Sequence, residues 1–193
     1  MLSVIIATRN CERALVHTLA MLVSASVAGV VRDVVIADAG SSDETGKIAD
    51  IAGCTLLVSS APLATRLQEA AGTARGNWLL FLRPGAVLEA SWIEETARFV
   101  TDAERRGSAE MAAVFRVEPL PGRSIAAQAL ALLKQALRRT PDPEQGLIIS
   151  RAFYAAVGRH QLRAGDPEAD LLRRIGSGRL VRLRSGITPF DAD

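Results

Sequence analysis

Two short stretches hold residue types that can do chemistry, and each stands where a hydrophobic run ends. The first is Asp38-Ala39-Gly40-Ser41-Ser42-Asp43-Glu44-Thr45, which follows the run "DVVIADA". A carboxylate at the end of a buried strand can accept a hydrogen bond from a base N–H or a ribose hydroxyl. Gly40 permits a sharp turn, and Ser42 or Asp43 can cap a following helix. A plain strand, turn and cap accounts for Ser42 and Asp43 but gives Asp38 no structural task. The second stretch is "FLRPGAVL", residues 81–88, where the run Trp78-Leu79-Leu80 breaks on Arg83-Pro84-Gly85. A strand that breaks on Pro and Gly delivers its loop to the carboxyl edge of a sheet, where α/β proteins keep their chemistry. The residue delivered is an arginine, a fixed cation with a planar fork of donors.

Several chemistries are excluded. The turn after the first apolar run reads Ala7-Thr8-Arg9-Asn10, without the glycines of a dinucleotide-binding turn, and Gly46-Lys47 is followed by Ile48, which breaks a P-loop. Cys11 and Cys54 form no CxxC and read as small core residues in a reducing compartment. His17 and His160 stand alone in sequence and are assigned no role. The 193 residues are 49% hydrophobic and 23% charged with a net charge of +2, which suits one globular domain and gives no argument for nucleic acid. No apolar run reaches the roughly 18 residues of a membrane span. The chain opens directly on a strand with no basic leader, so a cytoplasmic protein is expected.

The elements that must position these residues alternate in the manner of a mainly parallel sheet. Residues 2–8 form a first strand, and Asn10 is expected to cap a helix over 11–27. Residues 33–39 form a second strand, followed by a capped helix that stops at Gly53. A strand over 55–59, a helix over 63–74, a strand over 77–82, a helix over 89–105 and a strand over 110–118 follow. After Pro119-Leu120-Pro121-Gly122 the pattern gives an amphipathic helix over 125–137, a polar break over 138–146 and a strand over 147–150. A short helix closed by Gly158 comes next, then a loop, a helix and a last strand over 165–183.

In this order and spacing, "SVIIATRN", "VVIADAGSSDETGKIA", "ARGNWLLFL" and "GLIISRAFYAAVG…EADLLRRI" resemble family 2 glycosyltransferases of the GT-A fold, over most of the chain. The resemblance implies a three-layer α/β/α sandwich with a mainly parallel central sheet, as one domain over 1–193. Within it, 1–118 would be a nucleotide-binding half and 119–193 an acceptor-side half. It implies transfer of a sugar from a nucleotide-diphosphate sugar, with inversion, to a glycan or lipid-linked acceptor, as in bacterial cell-envelope polysaccharide synthesis. Ala7, Thr8, Arg9 and Asp38 would hold the base and ribose, with Arg66 a further candidate on its helix.

In the family, the strand matching "WLLFL" ends in an Asp-x-Asp motif that binds Mg²⁺ or Mn²⁺. Here Arg83, Pro84 and Gly85 stand there, and no side chain among them ligates a hard cation. No cofactor is therefore expected. Three readings of Arg83 are open: a replacement for the metal on the donor diphosphate, part of a site that binds donor without turning it over, or a solvated loop residue on a scaffold used for protein interaction. The family's catalytic base matches Glu168 when Pro167-Glu168-Ala169-Asp170-Leu171-Leu172-Arg173-Arg174 is anchored on its leucines and paired arginines. Asp170 and Asp166 lie close enough to substitute. All three acids also suit a helix start. Residues 125–139 end in Lys134, Arg138 and Arg139, and are read as a helix that packs, forms a homodimer or touches a membrane surface.

Overall fold

The computed structural model describes residues 1–107, 110–118 and 141–188. Its elements are β1 (Leu2–Thr8), α1 (Glu12–Val27), β2 (Val31–Asp38), α2 (Thr45–Ile51), β3 (Thr55–Val58), α3 (Leu63–Thr73), β4 (Trp78–Leu82), β5 (Val87–Leu88), α4 (Trp92–Arg105), β6 (Ala112–Val117), β7 (Leu147–Ser150), α5 (Arg151–Ala156), α6 (Pro167–Ile175) and β8 (Leu180–Thr188). The helix expected over 125–139, with its dimer or membrane contact, lies outside the described residues. None of the described helices is long and apolar enough to cross a membrane.

The strands join one sheet in the order β3-β2-β1-β4-β7-β6-β8-β5. Its central strands are apolar at nearly every position because both faces are covered. Leu2, Val4 and Ile6 of β1 pack with Leu15, Leu19 and Leu22 of α1 and Trp92 of α4. Ile5 of β1 and Val35 of β2 face the other way, onto Leu67 of α3, Phe153 of α5 and Leu171 of α6. Two cores on opposite faces of one sheet make the three layers. Each fully buried leucine or isoleucine contributes about 2 kcal/mol by area, which fixes the register of β1 firmly.

That register sets the functional edge. β1, β2, β3 and β4 are parallel, and Thr8 lies beside Asp38 while Asp38 lies beside Val58. β7 runs against β4, with Leu147 beside Phe81. The residues before β7 therefore arrive at the same edge, where Asp142 and Gln145 close a capping box around a 3-10 turn over Pro143–Gln145. β5 was not anticipated. Its two residues pair with Ile187 and Thr188 of β8, too short a run to show a period.

Candidate functional site

The loops after β1 and β2 are laced together side chain to backbone. The amides of Asn10, Cys11 and Glu12 donate to Ser41 Oγ (2.8 Å), Thr45 Oγ1 (3.1 Å) and Asp43 Oδ2 (3.1 Å). In return, the amides of Ser42 and Glu44 donate to Asn10 Oδ1 (2.8 Å) and Glu12 Oε2 (3.1 Å). Asn10 does not cap α1 as expected. Cys11 holds the cap position without a side-chain bond, and Asn10 takes a positive φ of 47°, a conformation that asparagine tolerates better than most residues. The first turn of α1 is capped instead across space, by the loop after β2.

Asp38, 2% exposed, is the anchor of that lattice. Its Oδ1 accepts from Thr8 Oγ1 (2.7 Å) and Ser41 Oγ (2.5 Å), and its Oδ2 from the amides of Gly40 (2.8 Å) and Ser41 (2.6 Å). The expectation that this carboxylate has no structural task is thereby corrected: it folds the turn in which Gly40 takes a φ of 83°. Burial alone would raise its pKa, but the bonds from Ser41, Thr8 and Gly40 outweigh it and leave the carboxyl below its ordinary value. Arg66 ties this edge to the next loop, donating to the carbonyls of Ala37 and Ala61. Burial lowers its pKa, the Asp38 charge opposes that, and the nearby Arg9 charge adds to it. Ala7 and Thr8 end β1 beside Asp38, and Arg9 is exposed above them.

The residues after β4 and before α6 meet. Arg83 Nε and Nη2 both donate to one oxygen of Glu168, Oε2, at 3.1 and 2.9 Å, across 85 residues of chain. The arginine side chain is 40% exposed and the glutamate 17%. Burial raises the Glu168 pKa above its ordinary value; Arg83 opposes this, and the charges of Asp166 and Asp142 add to it. Arg83 itself, despite burial, is held more firmly protonated by Glu168, with Asp166 and Glu144 contributing. Three carboxylates thus act on one guanidinium, and Glu168 alone touches it. Asp142 and Glu144 were missed in the sequence, where they sat inside a polar break; the pattern Asp142-Pro143-Glu144-Gln145 carries a capping signal that would have placed them.

The other acids of α6 are otherwise engaged. Asp166 caps the helix, accepting the amides of Glu168 and Ala169 at 3.0 Å each. Asp170 pairs with Arg174 at 2.7 Å and Arg173 at 3.5 Å, and Arg174 also donates to the carbonyls of Val157 and Arg159. Asp170 therefore braces the loop after α5, and Glu168 is the acid of this helix that meets Arg83.

Backbone, not only side chain, separates the end of β4 from a metal-binding motif. Gly85 takes a φ of 87°, and its amide donates to Thr18 Oγ1 at 2.8 Å. A side chain at that position would be strained. Arg83 presents donors only, and among the described residues no group of three or more His, Cys, Asp or Glu is placed to hold a metal ion. The residues at the strand end do not fit a divalent cation.

No protein-family profile and no curated protein sequence matches the chain. Solved structures match by shape. Glucosyl-3-phosphoglycerate synthase from Mycobacterium tuberculosis, crystallised with Mn²⁺, uridine diphosphate and glucosyl-3-phosphoglycerate, gives a TM-score of 0.65 at 17% identity over 100% of this chain and 73% of its own. S. aureus TarS 1–349 with UDP-GlcNAc gives 0.64 at 16% identity over 100% of this chain and 59% of its own. The mannosyltransferase PcManGT from Pyrobaculum calidifontis, with GDP-Man and Mn²⁺, gives 0.71 at 15% identity over 97% of this chain and 56% of its own. The chain spans less than two thirds of the latter two proteins. At such identities the likeness establishes architecture: this chain has the GT-A fold of these glycosyltransferases.

Proposed function

We propose that the chain transfers a sugar from a nucleotide-diphosphate donor to an acceptor hydroxyl, using Arg83 in place of a metal and Glu168 as general base. The observation that carries this reading is the Arg83–Glu168 contact, at the edge where Asp38 ends β2. A group that neutralises a leaving diphosphate and a group that removes a proton must lie on opposite faces of one reacting carbon, and the contact brings both side chains to one place at the sheet edge, where a donor can part them. The raised pKa of Glu168 also suits a base poised nearer neutral pH.

In the proposed reaction the donor lies along the loops of β1 and β2, with base and ribose near Thr8, Arg9, Asp38 and Arg66. Its diphosphate competes with Glu168 for the Arg83 fork. The acceptor oxygen attacks the anomeric carbon from the face opposite the diphosphate, and its proton passes to the freed Glu168 carboxylate. The bond from carbon to diphosphate oxygen breaks, the configuration inverts, and the nucleoside diphosphate leaves with its new charge against Arg83. No step runs through a metal, because the strand-end residues do not fit one. The division into a nucleotide half (1–118) and an acceptor half (119–193) belongs to this proposal.

A second reading, a nucleotide-sugar binder without turnover, draws support from two of the Arg83 donors, on Nε and Nη2, being spent on Glu168. Release of nucleoside diphosphate from a panel of uridine and guanosine diphosphate sugars separates the two. Release that falls in Glu168→Gln supports transfer, binding without release supports the second reading, and absence of binding removes both.

A further inference from the structure

His160 has no part in the reaction as described, yet it lines the same small cavity as the proposed base. The side chain is 1% exposed. Its ring stands edge-on to Phe81, two residues before Arg83, with centroids 4.8 Å apart, and Gln68 donates to its carbonyl. Nδ1 is bonded to Tyr154 Oη at 2.7 Å. His160 and Glu168, with Phe81, Pro143, Leu147 and Leu172, line one small cavity of about 10 Å³, the room that a single water needs.

We propose that His160 is a positioning residue for Glu168, holding its carboxylate through one water in the cavity that the two side chains share. The proposed tautomer carries the ring proton on Nε2: Tyr154 Oη, which accepts the His160 amide at 3.4 Å, then gives its own proton to Nδ1. Nε2–H then donates to the water, and the water donates to Glu168. Oε2 is held by Arg83, so the oxygen addressed is Oε1. Burial drives the His160 pKa down to about 3, with Arg174 lowering it further and Asp166 opposing. The ring is therefore neutral across the working range and acts as a fixed donor, not as an acid. The groups that face Glu168 are Arg83 from the end of β4, Asp166 on its own helix and Asp142 before β7. His160 adds to them a neutral donor, favouring the ionised carboxylate.

This rests on the proposed function only for its catalytic consequence; the test needs no donor. Nitrogen-15 shifts of His160 in the wild-type protein should report the Nε2–H tautomer between pH 5 and 8. Carbon-detected titration, with Glu168 assigned by Glu168→Gln, should show its midpoint move up by about half to one pH unit in His160→Phe, and by less in Tyr154→Phe, which frees the tautomer. His160→Gln, which keeps a donor, should recover part of the shift. The Nδ1–H tautomer in the wild type, or an unchanged Glu168 midpoint in the folded variants, overturns the proposal and leaves His160 a core residue. If transfer is active while Glu168 titrates unchanged, this inference alone fails. If Glu168 shifts while no donor binds, the transferase reading alone fails.

Discussion

Replacing Arg83 by alanine probes the cation that stands at the end of β4. A guanidinium on a diphosphate oxygen forms a charge-assisted hydrogen bond whose loss costs about 1.5–3 kcal/mol. The donor-free protein already spends two of the arginine's donors on Glu168, at 3.1 and 2.9 Å. A pair between a half-exposed arginine and a mostly buried glutamate is worth about 1 kcal/mol once solvent screening is allowed for, and donor binding must give it up. The net loss on Arg83→Ala is therefore about 0.5–2 kcal/mol, a rise in Kd of roughly 2–30-fold. Titration calorimetry at pH 7.5 with a chelator present reads it directly, for whichever uridine or guanosine diphosphate sugar binds the wild type. Arg83→Lys should recover part of the affinity, since an ammonium keeps the charge and loses the fork. An unchanged Kd in Arg83→Ala would refute the reasoning, and so would wild-type binding that appears only with Mn²⁺.

Glu168→Gln should lower turnover by roughly 100-fold and leave donor Kd within a factor of about five, on the tighter side, because Gln competes less well for Arg83. The same variant bears on stability. A carboxyl whose folded pKa is raised from 4.5 contributes stability below that value and loses it as pH rises through the folded pKa. Thermal melts should therefore show Glu168→Gln gaining on the wild type at pH 7–8 and the gain vanishing below about pH 4.5. Asp38→Ala should destabilise the donor-free protein by about 1–3 kcal/mol at pH 7, since it strands four donors. Its folded pKa lies below 3.8, so the deficit in melting temperature should shrink only as pH falls beneath that value. Gly85→Asp, which restores one acid of the family motif, should cost about 1–2 kcal/mol of stability through its positive φ, read by denaturant titration.

Most of the described strands and helices were legible because hydrophobic period carries them: β1 and β7 fall where the pattern put them, whereas β5 was missed and β8 runs to Thr188, past the expected end at 183. Asp38 was legible as a residue of interest but not in its manner of use. Its four bonds depend on a turn whose closure needs Thr8, 30 residues earlier, and no local pattern reveals that. Asn10 misled for a related reason: capping propensity is local, whereas the cap of α1 comes from a neighbouring loop brought alongside by parallel pairing. Arg83 and Glu168 were each singled out, by a broken strand and by a resemblance. Their contact was not, since it depends on β7 and α6 returning to the end of β4. His160 gave no signal, because its partners Tyr154 and Phe81 are ordinary core residues in sequence.

A crystal structure of the protein with its nucleotide-diphosphate sugar, grown in chelator, tests the role of Arg83 most directly. The expected result has the Arg83 guanidinium within hydrogen-bond distance of a diphosphate oxygen, turned from Glu168, with the Glu168 carboxylate open toward the acceptor side of the anomeric carbon. A donor bound with Arg83 still on Glu168 and no protein cation on the diphosphate would contradict it.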